Sequence, residues 1–422
     1  MLIPPHLLKG KKILLGVTGS IAVYKSLELV RLFVKAGANV KVVMSEAAKK
    51  FVTPLTFETL TSNQVLDDLN ESWVTDHNHI KTTEWADIFI IAPATANTIA
   101  KLANAIADNM LLQCALAYPN TKILAPSANT NMLENPITKG NLKMLAIANY
   151  EMVDTQTKEL ACKTTGDGAM AEPIDIFWHG ARVLLQEEFW SNRRVIVTGG
   201  GTIEKIDDVR YLSNFSSGKM ASSLATALYC KGADVNLIAT RFEDNIPKDM
   251  HTIDVESSDE MLEYLTNSIR IAKKGKLSKA TLMRDEQIHL IQKQPYLFMA
   301  AAVSDYIPEY TQEGKLKKEM LGDTFELSLK QNVDILNSID KNGITTIGFK
   351  AEMAQESAMK NASKMIDSKE VDAVCLNILK DSSSFGSDTN KIEFITPDKI
   401  ESLPSADKLS LAFDILKHAK SL

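Results

Sequence analysis

The sequence predicts an α/β protein of two domains, each a mostly parallel open sheet with a Rossmann-like opening of strand, glycine turn and helix. Two stretches carry that prediction. Residues 12–17 are an apolar run leading through Gly16-Val17-Thr18-Gly19-Ser20-Ile21-Ala22 into helically spaced Leu27, Val30, Leu32 and Phe33. Residues 195–198 do the same, through Gly199–Gly201, a polar loop and Ser216-Ser217-Gly218-Lys219, into Leu224, Ala225 and Leu228. A third observation is that polar residues follow successive apolar strands, where open α/β sheets bind ligands. The length of 422 residues suits two domains of ordinary size.

Composition narrows the class. A 45% hydrophobic and 24% charged chain is a soluble globular one, and 47 basic against 53 acidic residues give −6. That balance offers no bulk attraction to nucleic acid or an acidic membrane. Cys114, Cys162, Cys230 and Cys375 lie far apart without a CxxC pair, which predicts reduced thiols and argues against zinc. MLIPPHLLKG is too short and too proline-rich for a signal peptide. The most apolar region, 88–100, is broken by Pro93 and soon meets Lys101 and Asp108, so no span is expected. The expected location is the cytoplasm, and the expected partners are small molecules, with neither nucleic acid nor membrane.

The first opening, with a second strand at 40–44, makes a βαβ unit of about thirty residues and so a parallel sheet. GVTGSIA lacks the GxGxxG spacing of a dinucleotide turn, and Ser45 stands where a ribose would want an acid. A mononucleotide such as FMN suits this better than NAD. A third strand at 87–91 ends in Ala92-Pro93-Ala94-Thr95-Ala96-Asn97, and a fourth at 122–125 ends in Pro126-Ser127-Ala128-Asn129. His77 and His79 both precede the third strand, and position alone does not choose between them.

The order of these pieces resembles the flavin-containing cysteine decarboxylases. It runs GSIA at 19–22, Ser45, His79 ahead of WADIFIIAPATANT, ADN at 107–109, PSANTNML, then ACKTTGDGAMAEP, across 11–173. The resemblance implies FMN bound by Gly19, Ser20, Ile21, Ala22, Ser45, Thr95, Asn97, Asp108 and Asn109. It selects His79, by its spacing to Trp85-Ala86-Asp87, as the base. It assigns Asn129 to the substrate carboxylate and Cys162, on a mobile flap, to proton donation. It also implies a homo-oligomer with the flavin between subunits. The chemistry is coherent: a cysteine amide carboxylate has no electron sink until its CH₂–SH carbon is oxidised to a thioaldehyde, and a flavin is a suitable acceptor. Ala128, Leu133 and Ala169 replace the family's usual methionine, tryptophan and arginine, which predicts altered substrate affinity more than lost chemistry.

Glu187-Glu188-Phe189-Trp190-Ser191-Asn192-Arg193-Arg194 separates the halves, which predicts domains at 1–190 and 191–422. In the second, Arg210, Asn214, Ser216, Ser217 and Lys219 cluster beside the glycine turn. Backbone N–H groups and a helix start there suit a phosphate. TGGGTIEKIDDVRYLSNFSSGKM resembles the start of phosphopantothenate–cysteine ligase, which bacteria usually fuse behind phosphopantothenoylcysteine decarboxylase. The strand at 296–302, followed by Ser304-Asp305-Tyr306 and Lys315-Leu316-Lys317-Lys318, matches that family's lysine motif.

The ligase resemblance implies that CTP, with Mg²⁺, activates the carboxylate of 4′-phosphopantothenate as an acyl-nucleotide, which L-cysteine then attacks. Charge on both anions must be neutralised for that step. By matching position, Lys315 forms the acyl-nucleotide and Asn214 stabilises it. Met299, Ala300, Ala301, Asp305, Lys315, Val333, Asp334, Ile335, Leu336, Phe349, Lys364 and Lys369 line the nucleotide. Arg210, Ser216, Ser217 and Lys219 are candidates for the substrate phosphate; metal ligands are not assignable. Strands at 345–349, 373–376 and 392–395 complete the sheet, and lysine-rich 271–294 reads as an irregular solvated excursion. Two other functions fit the residues: an NAD(P)-dependent oxidoreductase, and an active ligase fused to a non-catalytic flavin-binding module.

Overall fold

The computed structural model describes residues 1–159, 165–278, 288–317, 324–353, 355–379 and 386–422. Two compact units result, one built mainly from Ile3–Gln186, the other from Glu187–Leu277 and Leu290–Leu422. The sequence places the boundary at 190/191. Phe189 and Trp190 cluster with the second unit because their rings pack edge-on against Tyr296, at 6.0 and 5.1 Å.

In the first unit, β1 (Lys12–Val17), β2 (Asn39–Met44), β3 (Ile88–Ala94), β4 (Lys122–Pro126) and β5 (Tyr150–Met152) form one parallel sheet in the order β2-β1-β3-β4-β5. β3 and β4 are buried along their whole length, as continuous apolar runs in a sheet covered on both faces should be. Helix α1 (Val23–Lys35) buries Ser26, Leu29, Val30 and Phe33, one face at helical spacing. Leu27 and Leu32, expected on that face, are only half-buried. Phe33 meets Phe177 of α2 (Pro173–Leu185) at 5.2 Å.

The second unit holds β6 (Arg194–Gly199), β7 (Asp234–Ala239), β8 (His251–Asp254), β9 (Tyr296–Met299), β10 (Thr345–Glu352), β11 (Ala373–Ile378), β12 (Thr389–Ile395) and β13 (Ile400–Asp407). Their order is β8-β7-β6-β9-β10-β11-β12-β13, parallel as far as β11 and antiparallel beyond. The first six strands follow the doubly wound 3-2-1-4-5-6 order. Helices α3 (Lys219–Cys230), α4 (Ser258–Ala272) and α5 (Lys408–Ala419) flank them, and α5 packs against α3. Among its described residues, the stretch 271–294, expected to be irregular, opens in the end of α4 and pairs Lys276–Leu277 with Leu290–Ile291.

In each sheet the strand order reverses once, between β1 and β3 and between β6 and β9. A crevice forms at such a reversal, at the carboxyl ends of the strands. Among the described residues, no helix is long and apolar enough to cross a membrane. Cys114, Cys230 and Cys375 are buried. Cys162 lies outside the described residues.

Candidate functional sites

In the first unit the turns after β1, β3 and β4 are tied together by short polar side chains. Thr18 Oγ1 donates to Pro93 O at 2.7 Å and accepts from the Thr95 N–H at 3.2 Å. The Ser20 and Ser127 hydroxyls lie 3.0 Å apart, and Ser127 N donates to Ala94 O at 2.9 Å. Gly19 is required by close approach, since a Cβ there would lie 2.5 Å from Ala47 Cβ. These turns wall a cavity of about 590 Å³, within the range of small-ligand sites.

Gly19, Ser20, Ser45, Thr95, Asn97, Asp108 and Asn109 all line it, as expected. Ile21 and Ala22 do not: Ile21 is 58% exposed and Ala22 is buried in the fold. Thr95 and Asn109 also cap the helices that follow them, accepting from Thr98 N and Leu112 N. Among the described residues, Ser45 Oγ is buried without a hydrogen-bond partner. Buried hydroxyls are normally bonded, so this one calls for a ligand atom, which a mononucleotide supplies. Lys101, paired with Asp108 at 2.6 Å, and Asp68, which accepts from Met110 N at 2.6 Å, also line it. Neither was singled out in the sequence, because only the packed loops bring them to the strand ends.

His79 opens the helix His79–Trp85, which Asn78 caps by accepting from Lys81 N. Its Nδ1 lies 2.7 Å from Glu71 Oε1, and Trp73 meets the ring edge-on at 5.7 Å. A carboxylate on Nδ1 fixes the tautomer and leaves Nε2 for proton transfer. His79 does not line the cavity itself, but its helix packs against Met110–Ala117, which the cavity residue Asn109 caps. His77 differs in kind. Burial pushes its pKa down, against a raising backbone hydrogen bond at Val65, and its Nε2 is buried without a partner among the described residues.

Asn129 caps the helix Thr130–Glu134, with Oδ1 accepting from Asn131 N at 2.9 Å. Its neighbour Ala128 lines the cavity, while Leu133 is buried in the apolar core. Ala128 N donates to Gly168 O at 3.2 Å. A Cβ on Gly168 would sit 2.2 Å from Ala128 O, and one on Gly166 2.1 Å from Thr130 Oγ1. The Gly-x-Gly pair therefore lets the strand Thr165–Ala169 lie directly on the asparagine loop. Burial pushes the Cys114 thiol up to about 12 and the Cys375 thiol up as well. Neither is a competent acid at neutral pH.

In the second unit the glycine triplet has three separate reasons. A Cβ on Gly199 would meet Ala221 Cβ at 2.3 Å, Gly200 has φ +79°, and a Cβ on Gly201 would meet Asn214 O at 2.6 Å. Gly218, φ +73°, caps α3. Around that helix start is a cavity of about 220 Å³, lined by Ser216, Ser217, Lys219, Ala300, Ala301 and Phe349 as expected. Lys350, Asn377, Asn390 and Lys408 line it too, and sequence reading missed them as ligand groups. The other expected residues fall elsewhere.

Asn214 Nδ2 donates to Ala302 O and Val303 O at 3.3 and 3.2 Å, which holds it over the end of β9. Arg210 donates to Leu316 O at 3.1 Å, and Leu316 N donates to Asp207 at 3.1 Å. These bonds tie the segment carrying exposed Lys315 to the loop before Asn214. Asp305 is exposed. Met299, Ile335 and Leu336 turn their side chains into the apolar core, and Val333 is exposed. Asp334 caps the next helix and pairs with Lys369, while Lys364 is exposed on the helix Gln355–Lys369. Among the described residues no group of three or more His, Cys, Asp or Glu could hold a metal. Mg²⁺ often needs only one or two carboxylates beside substrate phosphates.

Residues 2–179 match the Flavoprotein family model, and residues 190–276 and 272–422 match the DNA/pantothenate metabolism flavoprotein C-terminal domain. The chain is 33% identical over 415 residues to the coenzyme A biosynthesis bifunctional protein CoaBC of Borreliella burgdorferi, covering 97% of this chain and 99% of that one. The chain belongs to the CoaBC family. Its identity to the Bacillus subtilis CoaBC is 34% over 423 residues, covering 99% of this chain and 98% of the relative. Among solved structures, the C-terminal domain of a CoaBC protein is 26% identical, covering 55% of this chain and 95% of that one, with a TM-score of 0.42. Membership of the CoaBC family removes the NAD(P)-dependent oxidoreductase alternative. It also accounts for a cleft at the strand ends of each unit.

Proposed function

We propose that this chain makes 4′-phosphopantetheine for coenzyme A biosynthesis, the second unit ligating 4′-phosphopantothenate to L-cysteine and the first decarboxylating the product. The observation that carries this reading is the end-to-end match to CoaBC proteins by a chain with a cleft at the strand ends of each unit. In the ligase, the substrate carboxylate attacks the α-phosphate of CTP, pyrophosphate leaves, and Lys315 neutralises charge as the acyl-nucleotide forms. Asn214 holds that intermediate while the cysteine amine attacks the acyl carbon, releasing CMP and a proton. Mg²⁺ travels with the nucleotide. Ala300, Ala301 and Phe349 line the nucleotide, with Met299, Asp305, Val333, Asp334, Ile335, Leu336, Lys364 and Lys369 as its remaining contacts.

In the decarboxylase, Gly19, Ser20, Ser45, Thr95, Asn97, Asp108 and Asn109 would hold FMN. Bound there, FMN supplies a two-electron acceptor that returns its electrons, so the net change is loss of CO₂. His79, oriented by Glu71, takes the proton from the cysteine-derived carbon. Asn129 holds the carboxylate, and Cys162 returns a proton at carbon. The enzyme works in the cytoplasm as a homo-oligomer with its flavin site between subunits.

The full-length protein, given phosphopantothenate, cysteine, Mg²⁺ and either CTP or ATP, should yield phosphopantetheine and CO₂ by mass analysis, faster with CTP. Equal or faster turnover with ATP contradicts the nucleotide assignment, and no phosphopantothenoylcysteine with either contradicts the ligase.

Cys162→Ser should release one CO₂ per bound flavin under anaerobic conditions and then stop. Serine is a far weaker acid than a thiol of pKa about 8.5, so the proton at carbon is not returned. Steady-state phosphopantetheine formation should fall at least about a hundredfold. Normal turnover would remove Cys162 from the mechanism. One CO₂ per flavin would in turn exclude a non-catalytic flavin module.

A further inference from the structure

We infer that Lys408, in the first turn of α5, binds a phosphate group of a ligand in the second unit's cavity, together with the start of α3. The packing of α5 against α3 places Lys408 in the wall of the cavity that Ser216, Ser217 and Lys219 also line. Lys408 is only 7% exposed. A lysine so buried is expensive to keep charged unless paired. Among the described residues its ammonium has one hydrogen-bond partner, the Ser387 carbonyl, and no salt bridge, although it can donate three bonds. The nearest carboxylate on that segment is already engaged: Asp388 pairs with Lys219 at 2.6 Å. Burial, then the neighbouring Lys219, push the Lys408 pKa down to about 8, against the pull of Asp388 and Glu243.

Two ammonium groups thus face one cavity at the positive end of a helix, and both nearby carboxylates are already engaged, Asp388 by Lys219 and Glu243 by the Met1 ammonium. A phosphate would supply the missing charge, and backbone N–H groups at the Gly218 turn would share it. The bland reading is that the lysine stem packs and its ammonium merely caps the Ser387 carbonyl. In that case the charge has no bearing on ligands. The inference takes its sources of phosphate from the ligase reading: the 4′-phosphate of phosphopantothenate or the triphosphate of the nucleotide.

Pyrophosphate is the first probe, titrated into full-length protein, Lys408→Met and Lys408→Arg while the melting transition is followed. Lys408→Met should bind it about ten- to a hundredfold more weakly, and Lys408→Arg close to normally. Between pH 7 and 9 the wild type should lose affinity that Lys408→Arg keeps, because arginine stays charged; this comparison holds even if Lys408→Met does not fold. Equal pyrophosphate affinity in Lys408→Met and wild type, or the same pH dependence in wild type and Lys408→Arg, overturns the inference. Steady-state ligation then separates the sources. A raised KM for phosphopantothenate alone assigns the substrate phosphate, a raised KM for nucleotide alone the triphosphate, and neither rising overturns the site. If the wild type does not ligate, the functional reading fails, while the pyrophosphate titration still judges Lys408.

Discussion

His79→Asn should release CO₂ from phosphopantothenoylcysteine about 10²–10⁴-fold more slowly, the range for a lost general base, with ligation unchanged. The two neighbouring histidines are told apart by what holds them. His79 has Glu71 on Nδ1 at 2.7 Å, a contact that favours the tautomer with its proton on Nδ1 and leaves Nε2 as the nitrogen for proton transfer. His77 has its pKa pushed down by burial and turns Nε2 into the fold. His77→Asn should therefore leave decarboxylation within about tenfold of normal and act mainly on stability, since it disturbs a buried group. Glu71→Gln keeps a hydrogen-bonding partner but removes the charge, and should fall between the two. Equal losses in His79→Asn and His77→Asn would show that the wrong histidine had been chosen.

Lys315→Gln should leave the flavin bound and decarboxylation intact, but slow acyl-nucleotide formation about 10²–10³-fold, the usual effect of removing one electrostatic stabiliser. Lys315 is exposed, so the substitution should not unsettle the fold. Asn214→Asp should behave differently. It places a carboxylate before an anionic intermediate, and it also faces the Ala302 and Val303 carbonyls to which Asn214 now donates. Activation should proceed and transfer to cysteine should stall. Rapid quenching checks both: the acyl-nucleotide should be absent from the lysine variant and should accumulate in the asparagine variant. The reverse pattern would exchange the two roles.

Much of the fold was legible because its central strands are continuous apolar runs, which only a sheet covered on both faces requires. The edges were not. β13 carries Pro404 and a mixed burial pattern, tolerable on an edge strand but unlike a core one, and β8 is polar along most of its length. The first unit's cleft was legible because the residues that line it are turn residues at strand ends, and a strand fixes where its end lies. Ile21 and Ala22 follow that turn in sequence but have already left the cavity wall.

Glu71 and Lys408 were not legible as site residues. Each reaches its partner group only through loop or helix packing, Lys408 from a point in the chain 189 positions beyond Lys219. The residues expected to line the nucleotide show the opposite limit. Met299, Ile335 and Leu336 were placed by motif, yet their side chains belong to the core, so any contact they make must come from backbone atoms.

The most direct test of one chain with two independent sites is a mixing experiment. Lys315→Gln supplies an intact decarboxylase and His79→Asn an intact ligase, and each alone should make almost no phosphopantetheine from phosphopantothenate, cysteine and CTP. Mixed in equal amounts, they should restore its formation, with phosphopantothenoylcysteine passing from the ligase of one variant to the decarboxylase of the other. A mixture as inactive as either variant alone would mean that His79 and Lys315 serve one reaction, and would contradict the division of labour between the two units.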